Sequence, residues 1–206
     1  MRSQRFAKLF WTVRKSYIKI SPQLYILAAI IILVLPLPWL LGWILAVIIH
    51  EFFHCIALCF VGKEIGCIQF GLQGAKIDTQ AMSDWQTVFC ALAGPVGGLF
   101  LLSIRCIFPE AALCSLLLSV YNLIPISPLD GGRAFRAGMH MVLPEPVSEA
   151  VSEIVEKIAL IVICLVSLFS SFAWKLGVMP LLFAILFVTR MCKIKIPCKS
   201  IFKAVQ

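Results

Sequence analysis

His50-Glu51-Phe52-Phe53-His54 is the segment whose residue types and spacing point most directly to chemistry. On a helix, residues four apart share a face, so both imidazoles can reach one metal ion. Glu51 falls beside them, placed to take a proton from water at the metal. Zinc brings the pKa of such water down to about 7, which makes a hydroxide nucleophile available at neutral pH. The alternative, two histidines that pack one helix on another, leaves Glu51 between them unexplained. Ionisable groups inside an apolar run are costly and mark function by default.

A catalytic zinc takes three protein ligands and keeps one open position. Few acidic residues are candidates for the third. Asp130 stands out in Asn122-Leu-Ile-Pro-Ile-Ser-Pro-Leu-Asp130-Gly-Gly132, where two prolines break an apolar segment and two glycines follow the aspartate. Broken backbone at membrane depth is tolerated only where protein buries it or where it lines a water-filled cavity. A Pro/Gly turn at the membrane surface is the competing reading, and the histidine pair favours the ligand. Cys55 and Cys59 lie near the histidines and read as packing residues.

The elements that position these residues are apolar. The chain has 206 residues, 61% hydrophobic and 14% charged. A soluble domain is usually under half apolar and about a quarter charged. The composition therefore predicts an all-α polytopic protein in a lipid bilayer. About six segments are long or apolar enough to count as spans: 23–35, 39–61, 86–107, 111–124, 153–172 and 177–191. The fourth is short, and is expected to continue through the proline break to Asp130. Residues 65–79, punctuated by Gly66, Gly71 and Gly74, read as a small β-hairpin on the cytoplasmic side. Residues 144–157 read as a surface segment leading into the fifth helix. No linker separates a second module, so residues 1–206 read as one membrane domain with a catalytic core at about 39–136.

The net charge is +8. The basic residues flank apolar spans, so topology explains them and nucleic-acid binding is not expected. With the N-terminus cytoplasmic, sixteen Lys and Arg fall on that side, against Arg105 and Lys175 on the other. Both termini are then cytoplasmic. The basic N-terminal region reads as the flank of an uncleaved first span, not as a signal peptide. Nine cysteines without a CxxC pair argue against a disulfide framework.

The two motifs together, His50-Glu-Phe-Phe-His54 and Asn122-x-x-Pro-x-x-Pro-Leu-Asp130-Gly, resemble the paired signature of the site-2 protease family of intramembrane metalloproteases. Ala93-Gly94-Pro95 resembles a further family feature, although Gly94-Pro95 with Gly97-Gly98 reads on its own as a helix-packing face. The resemblance implies a Zn2+ ion held by His50, His54 and Asp130, with Glu51 as general base. It also implies that Asn122 positions substrate or stabilises the oxyanion. The hairpin region, with Gly71 and Gly74, resembles the family's membrane-re-entrant element, which engages substrate. The sequence is expected to depart from the family in having no PDZ-like insertion and no CBS-type domain after the last helix. The compact plan is similar to the sporulation-type branch, whose members process membrane-tethered precursors of transcription factors. That implies a bacterial cell-membrane protein, a membrane-spanning or membrane-tethered substrate, and control by a separate regulatory membrane protein. A metal transporter or an inactive scaffold using the same three ligands is the alternative. A transporter would more often carry repeat symmetry, and a scaffold needs no Glu51.

Overall fold

The computed structural model describes residues 17–20, 25, 29, 32–33, 35–63, 65–71, 74–173, 185 and 188. Chain contacts divide the protein into two units, Met1–Ser152 and Glu153–Gln206. The described residues of the first unit form the strands β1 (Tyr17–Ile20), β2 (Ile65–Gly71) and β3 (Gly74–Thr79). It also holds helices α1 (Leu37–Phe60), α2 (Asp84–Phe100), α3 (Pro109–Asn122) and α4 (Asp130–Val142). Helix α5 (Glu145–Ala173) begins in the first unit and runs into the second.

Local sequence sets the helix starts. Pro38 and Pro109 stand in the first turns of α1 and α3, where a missing N–H costs nothing. At α2 the Gln86 side chain reaches back to accept the Ser83 backbone N–H at 3.1 Å, half of a capping box. Helix α2 ends in a short 3-10 turn, Leu101–Ile104.

Two small core clusters tie the bundle at different depths. Ala46 of α1, Leu101 and Cys114 of α3 form one. Ala57 and Leu58 of α1 with Cys90 of α2 form the other. Near the first cluster Gly42 lies against the backbone of Glu110 and Ala111, where an added methyl group would come within 3.0 Å of Ala111 N. Helices α1 and α3 thus start at one level and run in the same direction, with α2 returning between their ends.

Most buried positions in this unit are small or polar, among them Ala46, Ala57, Cys90, Cys114, Ser115 and Ser119, with His50, His54 and Asp130. Large apolar side chains such as Leu41, Ile44, Ile48, Phe52, Val96 and Phe100 face outward. That distribution suits a lipid solvent, where small residues let helices approach and polar groups are kept inside. Among the described residues three helices are long and apolar enough to cross a membrane: 37–60, 84–104 and 145–171.

These bounds match the second, third and fifth expected spans to within a few residues, except that α5 is already helical at Glu145, where a surface segment was expected. The fourth expected span ends as a helix at Asn122, and a new helix starts at Asp130. The first and sixth expected spans lie largely outside the described residues. Residues 65–71 and 74–79 pair antiparallel, with Gly71 opposite Gly74. Strand β1 was not foreseen. It pairs parallel to β2, Tyr17 opposite Cys67, so the sheet has the order β1-β2-β3.

Candidate metal centre

Three side-chain atoms converge between α1 and the start of α4. His50 Nε2 lies 3.2 Å from Asp130 Oδ2, and His54 Nε2 lies 3.1 Å from the same oxygen. The two Nε2 atoms are 3.2 Å apart. All three residues are buried. Helical spacing brings the imidazoles together, with their rings edge to face.

The aspartate arrives by a different route. Helix α3 stops at Asn122, and residues 123–129 fold on themselves, with Ile126 N donating to Ile124 O and Leu129 N to Ile126 O. The Ser127–Pro128 peptide in this loop is cis. Ile126 and Leu129 are buried, so the irregular backbone is covered by protein as membrane depth requires. The loop lies across the first turn of α4. An added methyl group would meet Ile124 O at 2.7 Å from Gly131, and Ile126 O at 2.6 Å from Gly132. Asp130 can therefore stand at the first position of α4 only because glycines follow it.

The donor set fits a zinc ion. Zinc bonds nitrogen and oxygen at about 2.0–2.1 Å, so two ligands of one tetrahedral ion lie about 3.3–3.4 Å apart. The observed edges are within a few tenths of an ångström of that. Hydrogen bonding points the same way. His54 Nδ1 donates to Cys90 O at 2.8 Å, which leaves Nε2 of the neutral ring as a lone pair. That lone pair faces a carboxylate oxygen and a second imidazole nitrogen. A cation among the three atoms turns this repulsive arrangement into a ligand set, and the Cys90 carbonyl is the kind of outer partner that fixes a ligating histidine. Nδ1 of His50 is buried, with no hydrogen-bond partner among the described residues.

The remaining predicted residues are placed as follows. Glu51 is half-buried and interacts electrostatically with His54, His50 and Asp130. Asn122 closes α3, its Nδ2 donating to Leu118 O at 3.0 Å. Gly71 and Gly74 pair at one end of the hairpin. Arg133 Nη1 approaches Asp130 Oδ1 at 4.0 Å from one turn along α4.

Sequence reasoning missed Cys90, which acts through a main-chain carbonyl and so leaves no mark in residue type. It also missed Ser115 and Ser119, whose hydroxyls donate to Gly98 O and Pro95 O of α2. Two serines four apart in an apolar run were the available signal.

A profile of peptidase family M50 matches residues 102–166. A Synechocystis protein named as a candidate zinc metalloprotease, sll0528, is 32% identical over 48% of this chain and 32% of its own length. The chain thus spans about a third of that relative. The solved structure of the site-2 protease from Methanocaldococcus jannaschii aligns with a TM-score of 0.57 at 20% identity, over 85% of this chain and 88% of that one. The two share a fold. Fold and site together define a membrane-embedded helical protein with His50, His54 and Asp130 gathered inside the bundle. The profile match over residues 102–166 and the shared fold make the chain similar to peptidase family M50 and to the site-2 protease in particular.

Proposed function

We propose that this chain is an intramembrane zinc metallopeptidase that hydrolyses peptide bonds of membrane-spanning or membrane-tethered proteins. The observation that carries the reading is the convergence of His50 Nε2, His54 Nε2 and Asp130 Oδ2, with the His54 lone pair fixed inward by Cys90. His50, His54 and Asp130 would hold the zinc, whose Lewis acidity ionises water near neutral pH and polarises a carbonyl.

The chain's own groups do the rest. Glu51 takes the proton of the attacking water and hands it to the leaving amine, which lets one carboxylate serve as base and then acid. Asn122, at the end of α3, supplies an amide donor toward the developing oxyanion. The β2–β3 hairpin, with Gly71 and Gly74, holds an unwound substrate segment by strand addition. The family resemblance supports the last two roles. The distribution of Lys and Arg supports six spans with both termini cytoplasmic, and the resemblance to the sporulation-type branch supports a bacterial cell membrane. A separate membrane protein regulates access.

The test is zinc content per chain in detergent-purified protein. Wild type should carry about one zinc, in keeping with the one three-ligand group among the described residues. His54→Ala and Asp130→Ala should each lose most of it and cleave no substrate. Folded wild type that neither contains nor rebinds zinc would sink the reading.

A further inference from the structure

Gly94 stands on α2 one turn after Cys90, so the two share a face of that helix. Cys90 uses that face to hold His54 through its carbonyl. Gly94 meets the imidazoles themselves. A methyl group there would sit 2.8 Å from His50 Nε2 and 2.6 Å from His54 Cε1, and closer still to His54 Nε2. The nitrogens it would strike are two of the three converging atoms, the third being Asp130 Oδ2.

The other glycines of α2 behave differently. A methyl group on Gly97 would run into the Phe53 ring, and one on Gly98 would meet the Ser115 and Ser119 hydroxyls. Those two let helices pack. Gly94 alone among them opens onto the candidate ligand atoms.

An ion bonded to both Nε2 atoms lies about 2.0–2.1 Å from each. That is the space a side chain at 94 would fill. We propose that Gly94 is the wall of the metal chamber: its missing side chain provides the room the ion takes, which makes it a positioning residue for metal coordination. The proposal rests on the metallopeptidase reading only in requiring an ion at His50, His54 and Asp130. It assigns α2 two tasks from one face, fixing the His54 tautomer at Cys90 and leaving the ion its place at Gly94.

The test uses full-length protein in detergent, stripped by a chelator. It is titrated with Zn2+ against a competing chelator, and separately with Co2+ followed by visible absorption. Gly94→Ala should weaken zinc binding by at least about tenfold, the lower end of what losing an outer partner costs, and should alter the Co2+ spectrum. Gly97→Ala should lower thermal stability with zinc affinity unchanged. In a His50→Ala, His54→Ala double background the methyl group finds both imidazoles gone. Gly94→Ala should there change neither residual metal binding nor unfolding temperature, whereas a general packing role would cost the same in both backgrounds. Wild-type zinc affinity in Gly94→Ala would overturn the proposal. Failure of Gly94→Ala to fold in both backgrounds would overturn it too. Zinc-free wild type would remove the metallopeptidase reading and this inference together, while zinc-bound wild type with undiminished Gly94→Ala would remove this inference alone.

Discussion

Glu51 shares α1 with the two histidines, and its half-buried carboxylate interacts electrostatically with both of them and with Asp130. None of the three converging atoms belongs to it. Replacing it should therefore separate binding from turnover. Glu51→Gln keeps the size of the side chain and removes its capacity to accept a proton. Zinc content should stay at the wild-type level, and cleavage of a membrane-tethered substrate should fall by about 10²–10⁴-fold, the usual contribution of general acid–base groups. A variant that cleaves normally removes the general base. One that loses zinc places Glu51 in the metal's surroundings instead. At this scale much of the candidate site was legible, because helical period alone puts His50 and His54 together and the proline-glycine context singles out Asp130. Gly94 was harder to read. Its neighbours Gly97 and Gly98 carry the ordinary small-residue pattern of packing helices, and only three-dimensional placement separates it from them.

Helix α3 shows how elements share the work of positioning. Ser115 and Ser119 are fully buried, and their hydroxyls bond the α2 carbonyls of Gly98 and Pro95. Both bonds reach the segment of α2 that follows Gly94, so they fix the helix whose Cys90 and Gly94 face the imidazoles. Interhelical hydrogen bonds in membrane proteins average about 0.6 kcal/mol and reach about 1.7. Ser119→Ala should lower unfolding free energy in detergent by an amount in that range. The double variant with Ser115→Ala should lower it further and weaken zinc binding, through α2, without touching a ligand. An unchanged zinc affinity would show that α2 holds its place without α3. The short fourth span has its reason here as well. Its length looked insufficient because the helix stops at Asn122, and the sequence signal for the stop, Pro125 and Pro128, was plain. That the loop would fold back over Gly131 and Gly132 was not, since close backbone approach depends on tertiary contact. Strand β1 escaped for a related reason: four residues in a basic flank acquire strand character only by pairing with β2.

Depth connects these elements into one molecule. Helices α1 and α3 start at one level, as the approach of Gly42 to Ala111 shows. From that contact His54 stands twelve residues further along α1 and Asn122 eleven further along α3, so each lies roughly 16–18 Å from it at about 1.5 Å per residue. The break in the fourth span therefore comes where the aspartate must meet the histidines, in a hydrocarbon core of about 30 Å. The starting level also contains the turn between α2 and α3, with exposed Arg105 and Cys106. The segment between α1 and α2, with Lys63 and exposed Ala81, lies at the other end. In the proposed topology the excess of Lys and Arg makes that second end cytoplasmic, which would put the candidate metal site nearer the cytoplasmic face. Thiol labelling decides the orientation. In intact cells a membrane-impermeant maleimide should modify Cys106, located by mass spectrometry of the labelled peptide. A cysteine introduced by Ala81→Cys should react only after permeabilisation. The reverse pattern would invert the topology and bring the site nearer the outer face, so that substrates would have to present their scissile bond from outside the cell. Cleavage of a substrate presented from the cytoplasmic side fits only the first pattern, because an extended segment reaching the site from the far side would have to cross most of the bilayer's apolar thickness.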